Sequence, residues 1–419
     1  MISFKKIYQL SFYFVVSLIF LIGGMLQFFL GLSNTVLTLL IVAIMYLTYT
    51  LYVIIKHRAV VNIIIFWGLV YVVIIIISGI SNKSNFFSII IYFLFPLLPL
   101  GAFLFCYINY KENYLSPKRI FKLLYLISLI QLPILIIQSN FYEELIKFNN
   151  SNQHIASFDF LFGSFFLKSD HSLGFFILCV ITTMLLNIRK DGKLIKLPVI
   201  SIIYLSVTVF LTESNISKLF LSILLVLSIV IPLYKRYKMS YILKAVVLLF
   251  GTLIVLFVYS LRDQEFVKAR LGGDFESQYS LSVSERQYEL GTAKRGQILI
   301  MAFNNLETKW IGDGPYSYFN ILTGEFKRTI HFSQLIWTYF DLGFIGLIVV
   351  MGLLISILRY LDIDKGIPFY TVLGVVIVYS FYTTVFSDIA IMFSLMMIFN
   401  KKSLNEFDNY PISRLEKKP

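Results

Sequence analysis

The sequence predicts an all-α polytopic membrane protein of about twelve membrane-spanning helices, with a large, partly helical external loop between the ninth and the tenth. Three observations carry this. Of 419 residues, 58% are hydrophobic and only 14% are charged, against about 25% charged in a soluble domain. The apolar residues gather in runs close to the roughly 20 residues that a helix needs to cross a bilayer. The cations are spread unevenly over the segments that join those runs. This composition excludes a soluble globular enzyme and a disordered chain.

The runs cover residues 7–30, 34–55, 60–80, 86–108, 120–138, 171–188, 197–212, 217–234, 240–261, 338–358, 367–383 and 386–400. The first follows a basic start, Met1-Ile-Ser-Phe-Lys-Lys. It is long enough to span and no small-residue cleavage signal follows, so it reads as a retained helix and not a cleaved leader. Pro96 and Pro99 in the fourth run and Pro133 in the fifth predict kinks. Cys106 and Cys179 fall inside apolar runs, so neither a disulfide framework nor a thiolate metal site is expected. No six-plus-six repeat and no low-complexity tract is visible.

Orientation follows from the cations. With the N-terminus in the cytoplasm, the cytoplasmic segments hold Lys5 and Lys6, Lys56 and Arg58, Lys111, Lys118 and Arg119, Arg189 to Lys196, Lys235 to Lys238, Arg359 and Lys365, and the tail from Lys401. The shorter external loops hold only Lys83, Lys147, Lys168 and Lys218. Both termini are therefore expected in the cytoplasm. The formal net charge of +13 is then a matter of topology and implies no nucleic-acid partner. The chain divides into spans one to nine over residues 1–261, with an external loop at about 139–170; a large external loop over 262–337; spans ten to twelve over 338–400; and a cytoplasmic tail, 401–419.

Long loops carry function more often than they carry nothing. In the larger one, Ser284-Glu-Arg-Gln287 has the form of a capping box, opening a helix to about Leu306 that bears Arg286 and Arg295. Gly312-Asp-Gly-Pro315 ends it in a turn. Of the four histidines, His154, His171 and His331 fall on the external side and His57 in a cytoplasmic turn. A lone histidine is more often a satisfied polar group than a ligand. Glu213 and Lys218 sit at the external junction of spans seven and eight. The bland reading is a turn with a snorkelling lysine; the functional one is a cation facing an anionic ligand, because charge at membrane depth is expensive. Glu213 and Asp388 also read as simple interface acids. Asp362-Ile-Asp364 resembles a metal-holding pair, but its cytoplasmic turn is too short to carry a soluble domain. No cluster has metal-ligand spacing and no phosphate loop or nucleophile elbow is present, so neither a metal nor any other cofactor is expected.

Three stretches belong together: Ala293-Lys-Arg-Gly-Gln-Ile-Leu-Ile-Met-Ala302, then Trp310-Ile-Gly-Asp-Gly-Pro315, then His331-Phe-Ser-Gln with Asp341-Leu-Gly-Phe-Ile-Gly346. Their order resembles the O-antigen polymerase and O-antigen ligase superfamily: an arginine-bearing external helix, a G-x-G turn, a histidine opening a helix, and an acid with G-x-x-G entering a span. Ser217-Lys218 fits the place where that superfamily opens a helix with a serine and a cation, and Phe165 to Gly174 looks like its polar entry to span six. The chain departs from the pattern in having Lys218 where arginine is common and Phe332 where asparagine is common.

The resemblance implies a glycosyltransferase of the bacterial cytoplasmic (inner) membrane, working without metal or nucleotide on its external face. Its donor would be an undecaprenyl-pyrophosphate-linked oligosaccharide, and its products O-antigen, capsule or exopolysaccharide. Arg295, Lys218 and Arg286 would hold the departing pyrophosphate, His331 would take the proton of the attacking hydroxyl, and Asp170, His171 and Glu213 would contact the sugar or the acceptor. Besides the lipid bilayer, a repeat-unit flippase and a chain-length regulator are the implied partners. A ligase acting on lipid A core or protein is the near alternative. A twelve-helix transporter is the distant one, predicting similar halves and midplane charge; a purely structural membrane protein leaves the Arg/His pattern unexplained.

Overall fold

The computed structural model describes residues 3–57, 59, 62–155, 157–187, 195–212, 214–237, 309–320, 333–361 and 367–398. Among them the chain is about 80% helical and has no strand. The helices are α1 (Phe4–Ser17), α2 (Gly23–Leu30), α3 (Asn34–Lys56), α4 (Ile63–Ser81), α5 (Phe86–Tyr92), α6 (Leu94–Glu112), α7 (Pro117–Asn140), α8 (Tyr142–Leu145), α9 (Asp170–Asn187), α10 (Pro198–Leu211), α11 (Asn215–Tyr237), α12 (Gln334–Tyr360), α13 (Ile367–Tyr382) and α14 (Ile389–Ile398). Among the described residues, six stretches are long and apolar enough to cross a membrane: Phe4–Leu30, Asn34–Lys56, Ile63–Ser81, Phe86–Glu112, Pro117–Asn140 and Gln334–Tyr360. The run at 240–261 and the helix expected over 284–306 lie outside the described residues.

Local chemistry explains the boundaries. Ser33, Asn62 and Asn85 cap α3, α4 and α5, each side chain accepting a backbone N–H of the first turn. Pro117 and Pro198 occupy first helical positions, where a missing N–H costs nothing. Gly31, with φ 68°, ends α2. Of the expected kinks, the one in the fourth run is a break at Phe93. Pro96 then falls in the first turn of α6 and Pro99 lies inside it. Pro133 lies within an uninterrupted α7. A π-helical turn at Leu18–Ile22 joins α1 to α2, directly before Gly23-Gly24.

The helices pack α4 along α12, α3 along α6, α9 against α14 and α11, and α7 against α10. An aromatic core of Tyr8, Phe12, Phe20, Phe105, Phe176 and Phe393 joins α1, the π turn, α6, α9 and α14. Large apolar side chains such as Leu10, Leu47, Leu69 and Ile203 face outward, as a lipid solvent requires. At one end Lys56 pairs with Glu112 at 3.6 Å, and Gln9 donates to the Tyr114 carbonyl. At the other end, Asn150 of the 139–170 loop donates to the carbonyls of Phe28 and Phe29 at the end of α2. Cys106 and Cys179 are buried free thiols.

Candidate functional site

The entry to α9 is built by buried amides. Gln138 of α7 exchanges two hydrogen bonds of 2.9 Å with the Gly163 backbone, and Gln131 accepts from the Ser164 N–H at 3.0 Å. The Ser164 hydroxyl donates to the Phe20 carbonyl in the π turn, where the wider helix leaves carbonyls poorly paired. Gln27 accepts the Leu167 N–H at 2.7 Å. Gly23 and Gly24 let the α2 backbone meet Phe165 and Phe166 so closely that an added Cβ would collide. Residues 163–169 are thus held against α2 and α7, and α9 starts at a fixed place.

There its first residues meet the start of α11. His171 Nδ1 lies 2.8 Å from the Ser214 hydroxyl and 3.3 Å from an Asp170 carboxylate oxygen. Ser214 and Ser217 hydroxyls are 2.6 Å apart, and Ser217 reaches the Tyr379 hydroxyl of α13 at 2.7 Å. Gly174 of α9 faces Ser217 with no space for a Cβ. Asp170 lies close enough to the Tyr379 phenol to act on it electrostatically. Ser214, Ser217 and Tyr379 are fully buried, and Lys218 is only 9% exposed. The acid and the hydroxyl approach the same imidazole nitrogen. That is not the arrangement of a nucleophile relay, in which they take opposite nitrogens.

Lys218 stands in the first turn of α11, its N–H bonded to the Ser214 carbonyl. A cation there opposes the helix dipole and loses hydration through burial. The start of α14 adjoins this region, for Ser172 of α9 donates to the Asp388 carboxylate, which also accepts the Ile391 N–H at 2.9 Å. Asp388 is therefore a helix cap tied to α9. Gln334, the first residue of α12, accepts the N–H groups of Val385 and Phe386 at 2.7 Å each.

A second polar centre holds the 309–320 segment. The Asp341 carboxylate, 1% exposed, accepts the N–H groups of Tyr316 and Tyr318 at 3.1 and 2.8 Å and the Ser317 hydroxyl at 3.0 Å. From α4, Ser78 donates to the Asp341 carbonyl and Asn82 to the Gly312 carbonyl. Burial, with Asp341 alongside, pushes the Tyr316 phenol up to about 12, so it stays a neutral hydroxyl. The hydrogen-bonded turn falls two residues after the expected Gly312–Pro315, at Gly314–Ser317, where the Ser317 N–H donates to the Gly314 carbonyl and Gly314 has φ 100°.

Of the candidate residues, Asp170, His171 and Lys218 belong to one cluster. Arg286, Arg295, His331 and Glu213 lie outside the described residues, as does the Asp362–Asp364 pair. Among the described residues no group of three His, Cys, Asp or Glu side chains could hold a metal. Sequence reasoning missed Tyr379, one of three tyrosines in an apolar run, and did not single out Ser214. No family model matches this chain and no curated protein matches it. Fold and composition define an all-α, multi-pass membrane protein.

Proposed function

We propose that this protein is a membrane glycosyltransferase that joins undecaprenyl-pyrophosphate-linked oligosaccharide repeats into a surface polysaccharide. It would act on the external face of the bacterial cytoplasmic membrane, with about twelve spans and both termini in the cytoplasm. The observation that carries the reading is Lys218: a buried cation at the positive end of a helix, at the end of the bundle where the external loop is expected. A cation so placed can contribute to holding the pyrophosphate of a lipid-linked donor, which reaches it along the membrane. His171 and Asp170 supply hydrogen-bonding groups beside it for sugar hydroxyls. Arg295 and Arg286 would complete the pyrophosphate cradle from the long loop, and His331, two residues before the start of the described α12 region, would accept the proton of the attacking hydroxyl. The bond formed is from that hydroxyl oxygen to the donor's anomeric carbon; the bond broken is from that carbon to lipid pyrophosphate, which leaves with its electron pair.

The test is a purified, liposome-reconstituted protein given the lipid-linked repeat alone. Ladders of increasing length with release of lipid pyrophosphate support polymerisation. Product only when lipid A core or protein is added points to a ligase. No transfer with either acceptor overturns the reading, and solute uptake under those conditions would favour a transporter.

A further inference from the structure

The long helix α12 changes character at Gly343, where φ is 70° and ψ −166°. From there to Tyr360 it covers about 27 Å at 1.5 Å per residue, close to the ~30 Å hydrocarbon core of a bilayer. A span with its other end at Tyr360 would leave the hydrocarbon near Gly343. Just inside that level, Phe344 and Ile348 stand one turn apart on an outward face, 48% and 49% exposed.

A strap from the long loop continues that face. The Lys309 carbonyl accepts the Phe344 N–H at 2.9 Å, and the Trp310 carbonyl accepts the Ile345 N–H at 3.2 Å. The Trp310 ring meets Phe344 edge-on with centroids 5.8 Å apart. Trp310 is 64% exposed and Ile311 44%, so the strap adds two large outward apolar side chains to a lipid-facing stripe. On its polar side, Lys309 pairs with Asp313 at 2.5 Å. Tryptophan beside a charged pair, level with a helix end, is the composition of a bilayer's interfacial belt. In water the same side chains would leave a contiguous apolar patch exposed.

We infer that residues 309–311 lie in the interfacial layer of the bilayer and that Trp310 anchors the end of the long loop in lipid. The occupant of this face is the headgroup and upper acyl region, continuous with the lipid around α12. The inference stands whatever the protein's chemistry.

It is tested with a nitroxide on a cysteine at position 310 in the full chain in vesicles; Cys106 and Cys179 are buried. A second label replaces Asp313 as the aqueous reference. Collision with oxygen relative to a water-soluble nickel chelate should be severalfold higher at 310 than at 313. Equal ratios overturn the inference, and so does a label shielded from both reagents, which would mean a protein partner covers the face. If Trp310→Cys does not fold, tryptophan fluorescence of the wild type and of Trp310→Phe is compared in vesicles of brominated lipid. A quenched component missing from the variant supports the anchor; identical fractional quenching overturns it.

Discussion

His171 and Ser214, 43 residues apart in sequence, meet through a 2.8 Å hydrogen bond that joins the first turn of α9 to the cap of α11. Ser214 also touches Ser217 and its carbonyl accepts the Lys218 N–H, so this contact ties the first turn of α11, which carries Lys218, to α9. A neutral hydrogen bond contributes about 0.5–1.5 kcal/mol. His171→Ala is accordingly expected to lower transfer on the order of tenfold while the protein still folds. Ser214→Ala should act through the same link, so the double variant loses less than the product of the two single losses. Rates in reconstituted vesicles measure this; full multiplicativity would mean the contact is not the coupling.

Lys218 is expected to act on donor binding. Removing one partner of a buried charge interaction costs about 2 kcal/mol or more, roughly thirtyfold in affinity. Lys218→Met should weaken binding of the lipid-linked donor by at least that, and Lys218→Arg should retain most of it, since a cation is kept. Binding is measured directly by titrating labelled donor into nanodiscs. Unchanged donor affinity in a folded Lys218→Met protein would remove this lysine from the pyrophosphate site.

How far the sequence could be read depended on the range of each interaction. Helix positions were legible because spanning length and apolar composition are local properties. Ser217-Lys218 was legible because a polar pair interrupts two apolar runs. Tyr379 was not, since its role comes from Ser217, 162 residues away in the chain. Asp341 was visible as an acid beside a G-x-x-G, but its three hydrogen-bond donors come from 23 to 25 residues earlier. The π turn at Leu18–Ile22 was not anticipated either: its Phe20 carbonyl accepts from Ser164, 144 residues away in the chain.

Asp341 should therefore matter for stability before chemistry. Asp341→Ala leaves two N–H groups and a hydroxyl without their acceptor, each a loss of about 1–3 kcal/mol where water cannot replace it. A loss of about 3 kcal/mol or more is expected, seen as a lower unfolding midpoint in detergent. Asp341→Asn keeps one carbonyl oxygen for Tyr318 and Ser317 but sets an amide against the Tyr316 N–H, so it should fall between alanine and wild type. Equal stability of all three would show that the carboxylate does not hold the loop.

The two glycines Gly343 and Gly374 make the clearest contrast. Both lie in apolar helices, and only Gly343 belongs to a motif that the sequence singles out, the Gly343-Phe-Ile-Gly346 after Asp341. Gly343 has φ 70° and ψ −166°, a region essentially closed to residues with a Cβ and costing about 1–3 kcal/mol where one is forced into it. An added Cβ there would also collide with the Trp310 carbonyl and crowd the Gly312 N–H, prying the 309–314 strap from α12. Gly374, inside α13, has nothing within 4 Å of an added Cβ, and a mid-helix glycine is about 0.5–1 kcal/mol less favourable than alanine. Gly343→Ala should therefore lower the unfolding midpoint and expose the 309–314 strap to protease. Gly374→Ala should match or exceed the wild type in the same detergent. A Gly343→Ala protein as stable and as protease-resistant as Gly374→Ala would mean that the strap is not held where these contacts place it.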